Sequence, residues 1–155
     1  MTAQLALYQP DIPQNTGTLI RLAACLDFTL HVIHPTGFNF SDRQLRRAGM
    51  DYVSGAEIVE HDSFEAFDAW RRTDGRRLVL LTTKANASVY GTRFTADDVL
   101  LVGRESAGVP DDVAVKADLA LRIPMAPHRR SLNVAIAAAM AMGEALRQTG
   151  GMARW

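Results

Sequence analysis

Short apolar runs alternate with helical stripes along the whole chain. Gln4–Tyr8, Thr29–Ile33, Glu57–His61, Arg77–Leu81, Asp98–Val102 and Leu119–Ile123 are brief and mostly apolar, and they read as strands. Asn15–Leu26, Ser41–Ala48, Asp62–Thr73, a short piece near Asp111–Val115, and Leu132–Arg147 carry apolar residues at helical spacing. Ser41 with Gln44 and Asp62 with Glu65 have capping-box spacing, and Asn15 is a natural N-cap. Strands that alternate with helices are joined by crossovers. The pattern therefore predicts a single α/β domain over residues 1–155, a mostly parallel six-stranded sheet with helices on both faces. Ala85–Thr95, with Asn86, Ser88, Gly91 and Thr92, reads as a long loop.

Ligands of such sheets gather at the C-terminal ends of strands, and three strand ends here carry unusual residues. After the first strand comes P-D-I-P-Q-N-T-G-T-L-I-R, residues 10–21. Helical spacing stacks Gly17, Thr18, Arg21 and Cys25 on one side, so Arg21 crosses a stripe of small residues. On spacing alone a surface arginine fits as well as a ligand-binding one. After the fifth strand comes L-L-V-G-R-E-S-A-G-V-P, residues 100–110. Gly103 and Gly108 permit close backbone approach there, and Glu105 supplies a carboxylate. After the sixth, Ile123–Ala139 runs through two prolines and two arginines into Ser131-Leu132-Asn133 and an alanine-rich helix. Ser131 and Asn133 stand where they can cap that helix. The density of Ala and Gly in it suits tight packing on two sides, against a neighbouring helix or a second subunit.

Composition narrows the chemistry. Lys and Arg total 17, as do Asp and Glu, so no global field draws nucleic acid to the chain. Its arginines bunch locally, at Arg43, Arg46 and Arg47, at Arg71, Arg72, Arg76 and Arg77, and at Arg129 and Arg130. The second group flanks a turn at Asp74-Gly75 and reads as solvated. The single cysteine, Cys25, rules out an internal disulfide and reads as a buried helix thiol, consistent with a reducing cytoplasm. No signal-peptide pattern opens the chain, and Leu132–Leu146 is too short for a membrane span. The four histidines lack metal-ligand spacing, and neither a dinucleotide fingerprint, a P-loop nor a nucleophile elbow is present.

Five segments taken in order resemble one family. They are N-T-G at Asn15–Gly17, L-R-R-A-G-M-D-Y at Leu45–Tyr52, L-T-T-K at Leu81–Lys84, G-R-E at Gly103–Glu105, and S-L-N at Ser131–Asn133. The set is similar to the SPOUT RNA methyltransferases, and within them to the small TrmL (YibK-like) tRNA 2′-O-methyltransferases. That resemblance implies a C-terminal trefoil knot holding S-adenosylmethionine (SAM), a homodimer, and ribose methylation of the wobble cytidine or uridine, in leucine tRNAs. It also assigns roles. Leu81, Gly103, Ile123 and Ser131 would meet the cofactor through their backbone, and Glu105, Gly108, Leu132 and Asn133 would shape its loops. Arg21 would act at the ribose hydroxyl, with Asn15 framing that corner. RNA contacts then fall to local basic residues, Arg43, Arg46, Arg47, Lys84, Arg129 and Arg130, since net charge offers none. Thr18 and Ala135 depart from the family pattern, which often has asparagine and serine there. Two other readings stay open: the same fold acting on another RNA site or base, and a non-catalytic RNA-binding knot protein.

Overall fold

The computed structural model describes residues 2–39 and 55–152. The expected helix Ser41–Ala48, with Arg43, Arg46 and Arg47, and the Leu45–Tyr52 motif lie outside the described residues. Strands β1 (Gln4–Tyr8), β2 (Leu30–Ile33), β3 (Ile58–His61), β4 (Arg77–Leu81), β5 (Ala87–Ser88), β6 (Asp98–Val102) and β7 (Leu119–Arg122) form one sheet ordered β3-β2-β1-β6-β4-β7-β5. Every pairing is parallel. Helices are α1 (Pro13–Leu26), α2 (Phe64–Thr73), the single turn α3 (Asp111–Ala114) and α4 (Val134–Thr149).

The strands alternate between two cores. Leu5, Leu7, Leu30, Val32, Val79, Leu100, Val102 and Leu121 pack with residues of α1 and α4 on one face. Ala6, Tyr8, Ile33, Leu78, Leu80, Val99 and Leu101 pack with Phe64 and Phe67 of α2 and Val113 of α3 on the other. Period-two side-chain direction thus places helices on both faces, as the pattern predicted. The sheet has seven strands among the described residues rather than six. β5 pairs with β7 at Ala87↔Leu121 and Ser88↔Arg122, inside the segment expected to be a loop. Two residues are too few to show any alternation.

Helix starts correct three expectations. Asn15 is not an N-cap: α1 begins at Pro13, which is suited to a first turn by its fixed φ and missing N–H, and Ile12 caps it without a side-chain bond. Ser63 rather than Asp62 caps α2, its hydroxyl accepting from the Ala66 N–H at 3.1 Å. Asn133 alone caps α4, Oδ1 accepting from the N–H groups of Ala135 (2.8 Å) and Ile136 (3.2 Å), while Ser131 stands ahead of the helix. A fourth correction concerns Cys25, which is exposed on α1 rather than buried.

The solvated reading of the Arg71–Arg77 group fails for two members. Arg71 is 4% exposed and holds Asp68 at 2.7 Å and Asp118 at 2.9 Å, and it donates to the carbonyls of Arg76 and Lys116. Asp118 Oδ2 also accepts from the Leu78 N–H, so this guanidinium ties the end of α2 to the starts of β4 and β7. Arg76 is buried too, paired with Asp74 and lying over the Trp70 ring at 5.9 Å. Arg71→Ala leaves two carboxylates short of a partner and is expected to cost about 3–5 kcal/mol in urea denaturation. Arg72→Ala removes a mostly exposed guanidinium while Arg71 still holds the buried Asp68, and should cost under ~1 kcal/mol.

A polar line crosses the α2 face. Gln4 Oε1 accepts from His31 Nε2–H at 2.7 Å, leaving His31 Nδ1 to accept from His61 Nε2–H at 2.9 Å, with Trp70 stacked on His31. Burial, then the neighbouring His61 and Arg76, pushes the His31 pKa down to about 3 from 6.5. The folded pKa lies below the unfolded one, so this contribution is complete above pH 6.5 and is lost as pH falls toward 3. Stability should drop by up to about 1.4 kcal/mol per pH unit for that proton. Denaturation midpoints measured from pH 7 to 5 test this, and His31→Gln should flatten the slope.

Candidate active site

The C-terminal ends of β4, β6 and β7 open into a cavity of about 660 Å³, closed on one side by the start of α1 and the lead-in to α4. Leu81 and the Thr82–Lys84 turn form one wall, Gly103, Glu105 and Gly108 a second, and Ile123 and Met125 a third. Ser131, Leu132 and Asn133 complete it, and Ile12 and Asn15 also line it. All eight residues expected to contact a cofactor line this one space.

Gly103 is what lets the second wall fold back on itself. A Cβ there would lie 2.5 Å from the Gly108 carbonyl carbon, 2.6 Å from Gly108 Cα and 2.9 Å from the Val109 nitrogen. The loop closes through paired backbone bonds between Arg104 and Gly108, 3.0 and 2.8 Å, with Gly108 at φ +65°. Backbone replaces side chain along this wall, leaving amide and carbonyl groups within reach of a ligand.

Glu105 is held by a residue that the sequence reading passed over. The Asp11 N–H donates to Glu105 Oε2 at 2.9 Å, the Glu105 N–H donates to Asp11 Oδ1 at 3.1 Å, and the Ser106 hydroxyl donates to Asp11 Oδ2. The hydrogen bond with Glu105 is the main cause holding the Asp11 pKa down near 2, helped by Ser106 and by Arg104 at 3.5 Å. Burial pushes Glu105 above the usual carboxylate range. The reciprocal bonds clamp the β1–α1 loop to the β6–α3 loop. Gly37 packs against Asp11 from a third side, where a Cβ would come within 2.7 Å of the Asp11 Cβ. The only sequence signal for Asp11 was its place just past a strand end.

The other expected residues divide. Asn15 lines the cavity and is bonded to Asn133, which also lines it, Nδ2 of Asn133 donating to Oδ1 of Asn15 at 3.1 Å. Arg21 is exposed on α1 and is not among the residues that line the cavity. Lys84 is exposed on the cavity wall, and Arg129 and Arg130 are exposed in the loop before α4. Arg122, half-buried at the end of β7, also lines the space and was not singled out by any motif. Thr18 turns outward and donates to the Gln14 carbonyl, and Ala135 is buried in the α4 core. Neither departure from the family pattern touches the cavity walls.

A three-walled cavity built on glycine turns suits an elongated small molecule, and comparison with known proteins decides which kind of chain builds it. The model of the SpoU rRNA methylase family matches residues 2–143. The chain belongs to that family. Among its relatives, the tRNA (cytidine(34)-2′-O)-methyltransferase of Ancylobacter novellus is 56% identical over 154 residues, 99% of this chain and 98% of that one. The enzyme of the same description from Escherichia coli K12 is 39% identical over 148 residues, 94% of this chain and 93% of that one. A solved structure described as giving insights into 2-OH methylation of C/U34 on tRNA superposes with a TM-score of 0.90 at 44% identity, over 95% of each chain. An AdoMet-bound rRNA methyltransferase from Sinorhizobium meliloti gives 0.86 at 30% identity, but this SpoU chain spans only 56% of its length.

Proposed function

We propose that this SpoU protein is a SAM-dependent tRNA 2′-O-methyltransferase acting on cytidine 34, the wobble nucleotide. The observation that carries the reading is full-length identity of 56% to an enzyme of that description, joined to a cavity walled by the three motif loops. This chain covers only 56% of the Sinorhizobium meliloti rRNA methyltransferase, whereas it covers 98% and 94% of two C34 enzymes. Uridine 34 is a second substrate, following the C/U34 of the solved relative, and leucine isoacceptors follow from the motif resemblance.

SAM fits the donor set. The cavity volume lies in the range for cofactor-sized ligands. Leu81, Ile123 and Leu132 would offer apolar walls, Gly103, Gly108 and Ser131 backbone groups, and Glu105 a carboxylate to a cationic cofactor held in the same space. When bound, SAM supplies a methyl carbon that exchanges its bond to sulfur for one to the ribose 2′-oxygen, the hydroxyl proton passing to water. The chain's task is alignment and charge. An arginine stays protonated and has no acceptor site for a proton, so it is no base; Arg21 instead polarises the hydroxyl and stabilises the oxygen as its proton leaves.

Arg21 serves the cavity of a partner subunit. Leu132, Ile136 and Met140 recur at four-residue spacing with 39%, 54% and 38% exposure, and α1, on which Thr18, Arg21 and Cys25 are exposed, packs against α4. A homodimer through this face buries the apolar stripe and sets Arg21 of one protomer beside the cavity of its partner. Lys84, Arg129 and Arg130, with Arg43, Arg46 and Arg47, hold the tRNA backbone, and a tRNA substrate places the protein in the cytoplasm. No helix of the described residues is long and apolar enough to cross a membrane.

The knot belongs to the same proposal. β5 lies beyond β7, so the connection from β4 to β6 reaches around β7 and back. Gln148 near the end of α4 donates to the Thr92 carbonyl and accepts from the Phe94 N–H, and Val89 is buried in the α4 core. These contacts support a C-terminal segment threaded behind that connection. Incubation with methyl-labelled SAM and bulk tRNA, followed by digestion to nucleosides, tests the reading. Label is expected in ribose-methylated cytidine, and label in a base, or none, overturns it.

A further inference from the structure

A second crevice, of about 390 Å³, adjoins the large cavity and shares Arg122 and Met125 with it; Asn86, Ser88 and Pro124 complete its lining. It forms along β5, the strand that left no pattern in the sequence. Ser88 of β5 pairs in register with Arg122 at the end of β7, so the two are neighbours on adjacent strands. The polar groups gathered here are uncommitted. Arg122 is half-buried, yet among the described residues its guanidinium has no hydrogen-bond or ionic partner, and neither has the exposed Asn86 amide. Ser88 Oγ accepts from the Tyr90 N–H at 3.0 Å, which leaves its own hydrogen to donate. Pro124 and Met125 supply the apolar part of the lining.

We infer that this crevice receives the base of the nucleotide whose ribose is methylated, and that Asn86 reads it as a pyrimidine of either kind. This rests on the reading of the chain as a ribose methyltransferase. Ribose C1′, which carries the base, is bonded to C2′, which carries the hydroxyl that takes the methyl group. The base must therefore lie in a space that runs on from the cofactor's, as this crevice does through Arg122 and Met125. A phosphate would call for donors alone. Here an amide oxygen and an apolar surface accompany the donors, the combination that suits the edge and the face of a base. Cytosine and uracil share the O2 carbonyl, and Arg122 donates to it in both. They differ at N3 and position 4, where cytosine accepts and then donates, and uracil donates and then accepts. An amide presents one oxygen and one NH₂ group, so it matches either base after half a turn. Asn86 is able to make that turn because no neighbour among the described residues fixes its ends. Such a reader fits the C/U34 of the solved relative.

Transfer RNAs assembled to carry cytidine, uridine or the riboside of 2-pyrimidinone at position 34 separate base reading from backbone binding. The pyrimidinone keeps the ring and O2 but has only hydrogen at position 4. With the unaltered protein at saturating SAM, kcat/KM for the pyrimidinone should fall about 10-fold below that for cytidine or uridine. Asn86→Ala should lower cytidine and uridine alike by about 10-fold or more, and leave the pyrimidinone within a few-fold of its value in the unaltered protein. Arg122→Gln should lower all three by a similar factor, because the O2 it meets is common to them. Asn86 does not line the cofactor cavity, so SAM affinity by calorimetry and the melting temperature should be unchanged in Asn86→Ala. Equal losses on all three substrates in Asn86→Ala would mean that the crevice meets phosphate or sugar, and no loss on any would mean that it meets no part of the target; either result overturns the inference. If the unaltered protein methylates no ribose at position 34, the underlying functional reading falls instead.

Discussion

Arg21→Ala is expected to lower methyl transfer to tRNA by about 100-fold or more while leaving SAM affinity within a few-fold of the unaltered protein. The residue is exposed on α1 and does not line the cavity, so its removal takes no side chain from the cofactor's walls. Its effect must therefore appear in the rate at saturating SAM. Rapid-quench transfer assays, with calorimetry for the cofactor, separate the two quantities. A loss of SAM binding with a normal saturated rate would assign Arg21 the wrong task.

Gly103→Val should abolish SAM binding, by about 100-fold or more, because three backbone atoms within 2.9 Å occupy the place of its Cβ and none of them belongs to a yielding side chain. The paired Arg104–Gly108 bonds must open, and the second cavity wall opens with them. Gly91→Ala is the control, since a Cβ at that position meets nothing within 4 Å. The two damaging variants also test the dimer when co-expressed. A protomer with Arg21→Ala keeps an intact cavity, and a partner with Gly103→Val keeps an intact arginine. If arginine acts across the boundary, mixed dimers hold one complete site and regain activity that neither variant has alone. No recovery in mixed dimers would place Arg21 and its cavity in the same chain.

The parts of this molecule that were legible in its sequence are those that follow strands. Leu81, Gly103, Glu105, Gly108, Ile123, Ser131, Leu132 and Asn133 are far apart along the chain, yet a parallel sheet carries all strand C-termini to one edge, and there they meet. Other features left no periodic trace. Ala87–Ser88 becomes a strand only because β7 passes beside it, and a two-residue pairing has no pattern of its own. Arg71 and Arg76 looked solvated because their partners, Asp118 and the Lys116 carbonyl for Arg71 and the Trp70 ring for Arg76, come together only in the folded chain. The start of α1 was misplaced for a local reason: Pro13 opens the helix one turn-half before Asn15, which frees the Asn15 side chain from capping. A capping Asn15 would spend its oxygen on its own helix and could not receive Asn133. Threading of the C-terminal segment lies beyond any pattern reading, since periodicity records which face a residue takes and not which loop it passes through.

The most direct test is fragment mass spectrometry of a leucine tRNA bearing cytidine 34, incubated with the protein and SAM. The account predicts one added methyl group, carried on the ribose of nucleotide 34, and its absence when Arg21→Ala replaces the unaltered protein. A methyl group on a base, or at any other nucleotide, would contradict it.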